Sequence, residues 1–245
     1  MLNCSALIND QIKCVNVGIR QSPMNINTET VVPRSSTKIE FHCKDIYSGI
    51  ILQEGNELMT AHNGWTATYT SATEESTWTS VQFHFHSPSE HSIDGHFYDA
   101  EMHTVFRNDR NKKQLLVLGI LFTLDEHAEE NEFLTALELE DIYEEGEKFI
   151  KNVPMEEFIS STVNDNLFNY QGSLTTPTCD EVVEWFVFKH PVKINEEQLH
   201  NFEILWSKNY EFAMGNGNNR YFLKKFNFIQ AFILFKSKFP SRVEI

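Results

Sequence analysis

Short runs in which aromatic and polar residues alternate recur along the chain, as in Trp65 to Tyr69 and Trp185 to Phe188, and they predict strands rather than long helices. The alternation says most between Gln82 and Phe106, QFHFHSPSEHSIDGHFYDAEMHTVF. His84 and His86 are two apart, so on a strand both imidazoles point to one face of a sheet. Asp94-Gly95 is a strong signal for a two-residue hairpin turn with the twist that antiparallel strands need. Such a turn between Ile93 and His96 sets His86 opposite His103 and His84 opposite Val105, and opposite residues share a face. Three imidazoles are therefore expected to converge with a fourth tetrahedral position open, the donor set of a catalytic rather than a structural zinc site. Gln82, Glu90 and Glu101 have the parity of the same face. A metal-bound histidine needs an acceptor for its other ring nitrogen, and Gln82 and Glu101 are placed to supply it. The competing reading is a solvent-facing polar sheet surface whose histidines bind nothing. One helix is expected near Asn131 to Ile142.

Composition narrows the field. With 245 residues, no internal repeat and no long Gly, Ser or Pro linker, residues 1–245 read as one domain. A formal charge of −15 leaves no basic stripe to neutralise phosphates, which argues against a nucleic-acid partner. Much of the acid lies between Asp125 and Glu147, and a solvated helix with its flanks is favoured there over a surface for cations or a basic partner. No apolar run approaches the roughly 20 residues of a membrane span. Phe226 to Phe235 is short, interrupted by Asn227 and Gln230 and followed by Lys236 and Lys238, so it reads as a terminal strand or a partner surface. The chain opens without a charged and then apolar leader, so any signal peptide is expected to have been removed or never present. Asn3-Cys4-Ser5 is formally a glycosylation sequon and lends weak support to secretion. Four cysteines permit two disulfides without demanding any, and Cys4 and Cys43 have no assigned partner.

Four blocks together resemble the α-class carbonic anhydrases: the histidine segment, YQGSLTTPTC at Tyr170 to Cys179, RQSPMNI at Arg20 to Ile26, and NGW at Asn63 to Trp65. They occur in family order with family-like separations, so the resemblance covers roughly residues 14 to 220. It implies a mainly β, α+β fold with a central, twisted, mostly antiparallel sheet of about ten strands and short surface helices. It implies one zinc ion per chain on His84, His86 and His103, and reversible hydration of carbon dioxide to bicarbonate and a proton. Thr175 would aim the nucleophile, its own hydroxyl proton committed to a buried Glu90. Thr176 would touch bicarbonate. The apolar wall for carbon dioxide would be Val105, Val117, Leu174 and Trp185, of which Val105 is also on the ligand face by parity. Asn218 would offer its backbone carbonyl to the second nitrogen of His86. Cys14 and Cys179 match a disulfide of secreted family members, which favours a secreted, cell-surface or organelle-lumen location and leaves an intracellular one open.

The chain also departs from the family pattern. Fast members carry a proton-relaying histidine after the Asn-Gly turn, where this chain has Trp65, so proton export is expected to use water and buffer, with His62 a minor substitute. Gly217-Asn218-Asn219-Arg220 resembles a family segment, but Tyr221 replaces the usual proline and residues 221–245 diverge. Two functions follow: a zinc lyase working on carbon dioxide without the usual shuttle, or a carbonic-anhydrase-like binding or scaffold subunit that joins an assembly through its acidic surface or C-terminal aromatic segment. Retention of all three ligand histidines with Thr175, Glu90 and Glu101 favours the lyase. A zinc-dependent esterase would share the nucleophile, but nothing in the sequence supplies an ester pocket.

Overall fold

The computed structural model describes residues 18–34, 36–54, 57–61, 64–142, 146–162, 166–206 and 232–235. The first strands are β1 (Asn25–Ile26), β2 (Val32–Pro33), β3 (Lys38–His42), β4 (Gly49–Glu54), β5 (Glu57–Ala61), β6 (Thr66–Thr70), β7 (Glu75–His86) and β8 (Ser92–Ile93). The rest are β9 (His96–Phe97), β10 (Ala100–Asn108), β11 (Leu115–Leu124), β12 (Gly146–Ile150), β13 (Asn166–Gly172), β14 (Val183–Phe188), β15 (Val192–Ile194) and β16 (Phe232–Phe235). Helices α1 (Glu132–Thr135), α2 (Met155–Thr162) and α3 (Glu196–Trp206) and a 3-10 turn at Leu139–Asp141 lie between them. One 13-stranded sheet runs β12-β4-β5-β7-β10-β11-β14-β13-β16-β2, with β3 and β6 joined through β7 and β15 through β11. It is mostly antiparallel, as expected, and among the described residues its parallel pairs are β11–β14, β11–β15 and β16–β2.

The Asp94-Gly95 turn forms, with Ile93 opposite His96 and both turn residues at positive φ, 51° and 81°. It closes only a small hairpin that joins β1 in a separate three-stranded sheet. Strand β7 ends at His86, and the chain leaves the strand path before reaching this hairpin. β7 and β10 consequently pair two residues away from the expected register: His84 faces His103, His86 faces Glu101, and Gln82 faces Val105. Because side chains alternate with period two, a two-residue shift preserves every face. The predicted partners change and the predicted convergence does not.

A β-bulge sits where the pairing jumps from Val105–Gln82 to Phe106–Ser80, leaving Val81 as the extra residue. On the core side the buried positions are Trp78 and Ser80 before it and Phe83 and Phe85 after it. The sheet's two faces are accordingly distinct. One carries the large core of Phe83, Phe85, Met102, Phe106, Leu118, Phe122 and Phe186, closed by Trp65, Trp78, Phe133 and Phe158. The other, bearing the histidines, continues into a smaller cluster of Val117, Leu121, Phe168, Tyr170, Val183, Trp185 and Val187.

The helix expected over Asn131 to Ile142 is in fact two short pieces. Asn131 caps α1 by accepting from the Leu134 N–H at 3.2 Å, but Glu138 takes a left-handed conformation, φ 50°, and breaks the path before the 3-10 turn. Helix α2, which strand-like alternation does not reveal, follows Pro154 and buries Met155, Phe158 and Ile159 at helical spacing. Of the segment Phe226 to Phe235, residues 232–235 form β16, whose edges are taken by β13 and β2; residues 226–231 lie outside the described residues.

Candidate metal centre

His84, His86 and His103 come together on the face set by β7 and β10, each offering a nitrogen within 4.8 Å of the others. Ring centroids lie 5.0 Å apart for His84–His86, 5.1 Å for His84–His103 and 4.6 Å for His86–His103. His86 and His103 are buried and His84 is half-buried. His84 Nδ1 lies 2.8 Å from the Gln82 amide oxygen and His103 Nε2 lies 2.9 Å from Glu101 Oε1. An amide oxygen and a carboxylate only accept, so these two nitrogens carry the protons. The inward nitrogens, His84 Nε2 and His103 Nδ1, are then lone pairs facing one another at 3.3 Å.

Glu101 is the hub beneath this tripod. Its Oε2 accepts the backbone N–H groups of Glu90 at 2.9 Å and His91 at 2.8 Å. Its Oε1 takes His103 Nε2 and, at 2.7 Å, His91 Nδ1. Four donors therefore fill the acceptor positions of one fully buried carboxylate. His91 Nε2 in turn meets the Tyr170 hydroxyl at 2.6 Å, which is hydrogen-bonded to Ser22 Oγ at 3.0 Å. Gly119 lies opposite His103, and a Cβ there would come within 2.9 Å of Glu101 Oε1. His91, Ser22 and Gly119 escape a periodicity argument, because His91 follows the strand end, Ser22 reaches Tyr170 from outside these strands and Gly119 acts by the room it leaves.

Electrostatics follow from this wiring. Burial, then His86 and His103, hold the His84 imidazole well below the ordinary histidine range. Burial also opposes charge on His103, but the Glu101 carboxylate outweighs it and raises that imidazole. Burial works against an ionised Glu101, yet His91 and His103 keep its carboxyl well below the usual carboxylate range. The centre thus favours one positive charge at the inward nitrogens, a proton or a cation. Glu90, itself buried, brings Oε2 to 3.6 Å from His86 Nε2 and 3.9 Å from His103 Nδ1.

The other expected residues fall into three groups. Val105, Val117 and Trp185 line up across β10, β11 and β14 on the tripod face, Leu174 packs against the same cluster, and the Trp185 ring lies 4.8 Å from His103. Thr175 is buried and Thr176 exposed in the loop after β13. That loop is strapped to the RQSP block: Ser22 N–H donates to Ser173 Oγ at 2.9 Å, Ser173 N–H to Ser22 Oγ at 3.0 Å, and Gln21 Nε2 to the Cys179 carbonyl at 3.3 Å. Cys179 is buried; Cys14, His62 and Asn218 lie outside the described residues.

Trp65 is packed away from the tripod. Its indole is 1 % exposed, stacks on Phe83 at 6.0 Å and donates Nε1–H to the Lys44 carbonyl at 2.8 Å. Phe83 belongs to the face opposite His84, so position 65 does not open on the tripod. The backbone fixes this: Ser80 N–H donates to the Trp65 carbonyl at 2.9 Å and Trp65 N–H to Ser80 Oγ at 3.2 Å.

The donor set fits a tetrahedral metal ion. Bonds of about 2.0–2.1 Å to imidazole nitrogen imply a ligand–ligand edge of about 3.3–3.4 Å, which the 3.3 Å separation of His84 and His103 matches. The family model of eukaryotic-type carbonic anhydrase matches residues 9–225. Alpha carbonic anhydrase 4 of Arabidopsis thaliana is 33% identical over 192 residues, covering 78% of this chain and 68% of that protein. A carbonic anhydrase of Dunaliella salina is 31% identical over 77% of this chain, which spans 36% of that longer protein. The structure of carbonic anhydrase Cah3 from Chlamydomonas reinhardtii, in complex with acetazolamide, superposes with a TM-score of 0.73 at 29% identity, covering 88% of this chain and 91% of that one. With a matching fold, a matching family model and three imidazoles held as metal ligands require, the chain belongs to the eukaryotic-type, or α-class, carbonic anhydrase family.

Proposed function

We propose that this protein is a zinc-dependent lyase that interconverts carbon dioxide and bicarbonate. The observation that carries the reading is the pair of inward lone pairs, His84 Nε2 and His103 Nδ1 at 3.3 Å, with both outward nitrogens already committed. When bound, one zinc ion per chain would acidify water in its fourth position from a pKa of 15.7 to about 7, making a nucleophile available at neutral pH. His84, His86 and His103 would hold the ion, and Gln82 and Glu101 would fix the tautomers of His84 and His103. The Asn218 carbonyl would do the same for His86.

Thr175 would accept a hydrogen bond from the nucleophile and donate its own proton to Glu90, whose carboxylate is buried beside the tripod. Val105, Val117, Leu174 and Trp185 would exclude water from an apolar wall against which carbon dioxide has nothing to lose by leaving solvent. Thr176, exposed at the rim, would meet the departing bicarbonate. The proton would leave through water and buffer, since the indole of Trp65 does not titrate and faces the core. Cys14 and Cys179 would form a disulfide, supported by the RQSP strap that brings the N-terminal segment to Cys179, and the protein would work in an oxidising, secreted or lumenal compartment. Non-reducing peptide mapping would find that bridge.

Metal content and carbon dioxide hydration measured on one purified sample test the reading. Stoichiometric zinc with hydration is expected. Stoichiometric zinc without hydration would overturn the lyase in favour of a scaffold, and absence of zinc would overturn the site.

A further inference from the structure

We propose that the outer edge of β12 is a self-association surface on which a second copy of this chain pairs antiparallel, centred on Phe149. Strand β12 ends the sheet, with β4 on one side and no strand on the other among the described residues. Such an edge presents unmade N–H and C=O groups and templates further pairing unless it is guarded.

The side chains of β12 divide by face. Ile150 is buried, and Lys148 is held by the Glu138 carbonyl at 2.7 Å, the Glu138 carboxylate at 3.0 Å and Asp141 at 3.1 Å. These two guard the inner face. Glu147, Phe149 and the following Lys151 are exposed on the other face and make no ion pair among the described residues. Phe149 is 69% exposed, although its strand neighbour Ile50 and the adjacent Leu52 are half-buried beside it.

The charges choose the occupant and the register. Glu147 and Lys151 flank Phe149 symmetrically, so antiparallel pairing centred there sets Phe149 against the partner's Phe149 and each Glu147 against Lys151 of the partner subunit. Opposite charges facing one another across strands stabilise a pair and like charges oppose it. Centring on Glu147 or Lys151 would bring like charges together, centring on Lys148 would bring two ammonium groups together, and parallel pairing would set Glu147 beside Glu147. The self-complementary register is thus the one that the aromatic also favours. With a charge of −15 on every chain, general repulsion works against indiscriminate contact, so a specific patch is needed to overcome it.

Sedimentation velocity of the full chain over a range of concentrations tests this, alongside Glu147→Lys, Lys151→Glu, the double swap, and Phe149→Lys. The wild type should show a reversible monomer–dimer equilibrium. Either single reversal replaces two attractive pairs by two repulsive ones and should weaken dimerisation about tenfold or more, and the double swap should restore it. Phe149→Lys should abolish it. Circular dichroism and hydration should be unchanged in all four, since these exposed residues are outside the metal centre. A wild type that stays monomeric throughout, a dimer indifferent to the single reversals, or a double swap that fails to rescue overturns the proposal.

Discussion

The two faces of β7, β10 and β11 are built from alternate residues of the same strands, yet they are held by different physics. On one, Phe83, Phe85, Phe106 and Phe122 bury large apolar rings against one another and against Trp65 and Phe133. On the other, hydrogen bonds hold His84, His103 and Glu101 beside His86, and burial there penalises charge that no partner answers. The first face stabilises through area, in which many contacts share the work. The second depends on a few donors and acceptors, each with a specific task. Substitutions on the two faces should therefore fail in opposite ways, one in stability and the other in chemistry.

The largest separation should come from His103→Ala. Zinc content and hydration should fall to background while the urea midpoint of the metal-free protein falls less than in the aromatic-core variant below; full retention of zinc would refute the tripod. Its counterpart, Phe83→Ala, leaves a cavity and should cost about 3–5 kcal/mol, read as a lower urea midpoint, with stoichiometric zinc in the fraction that stays folded. Trp65→His sharpens the contrast, because family position and structural face disagree there. It should cost about 2–3 kcal/mol from lost packing and a buried polar ring, without raising turnover in weak buffer. Faster turnover would mean that position 65 reaches the tripod after all.

Glu101→Gln tests the hub with almost no change in shape. One oxygen becomes an NH2 group that must face either two backbone N–H groups or the two imidazoles. Facing the imidazoles, it would move the His103 proton to the inward nitrogen and block the metal. Zinc affinity should fall about 10–100-fold, measured by chelator competition, and an unchanged affinity would remove Glu101 from its assigned role.

A smaller effect is acid sensitivity of the metal-free protein. His84 is depressed, so the unfolded chain binds its proton first, and this contribution is lost as pH falls below about 6.5. Glu101 is also depressed, so its contribution is present above about 4.3 and lost as pH falls through its folded value. His103 is raised and acts oppositely, stabilising at low pH and losing that contribution as pH rises through its folded value. Stability should decline as pH falls below about 6.5, where His103 no longer opposes His84, and most steeply below about 4.3, by at most about 1.4 kcal/mol per pH unit for each net proton. A flat urea midpoint between neutral pH and pH 4 would contradict the wiring.

The tripod is legible in the sequence because period two is insensitive to a two-residue change of register. Where β7 ends decides whether His86 faces His103 or Glu101, and either way all of them share one face. The position of Val105 on the tripod face is legible for the same reason, whereas Val117 and Trp185 follow from the resemblance alone, and the structure sets all three in one cross-strand row. The placement of Trp65 is not legible, because a match to a short turn motif fixes position along the chain and says nothing about which face a backbone anchored to Ser80 will present. His91 was invisible to periodicity because it lies beyond the strand end, where only tertiary hydrogen bonds to Glu101 and Tyr170 give it a purpose. Helix α2 carries a start signal in Pro154 with Glu156 and Glu157, but its two turns of apolar spacing are too few to outweigh surrounding strand-like alternation.

Val81, the one unpaired step between Ser80 and Gln82, has a consequence for insertions and deletions. With it, the stretch that delivers Trp78 to the aromatic core and the stretch that delivers two histidines to the opposite side keep separate phase along one continuous backbone. Its deletion would set Ser80 directly before Gln82 and make the pairing with β10 continuous, so Trp78 would stay in the core and the histidines on the opposite face. Loss of this single unremarkable valine should therefore remove the local kink and spare both faces, whereas the extra residue it represents is a place where the strand has already absorbed a change of length.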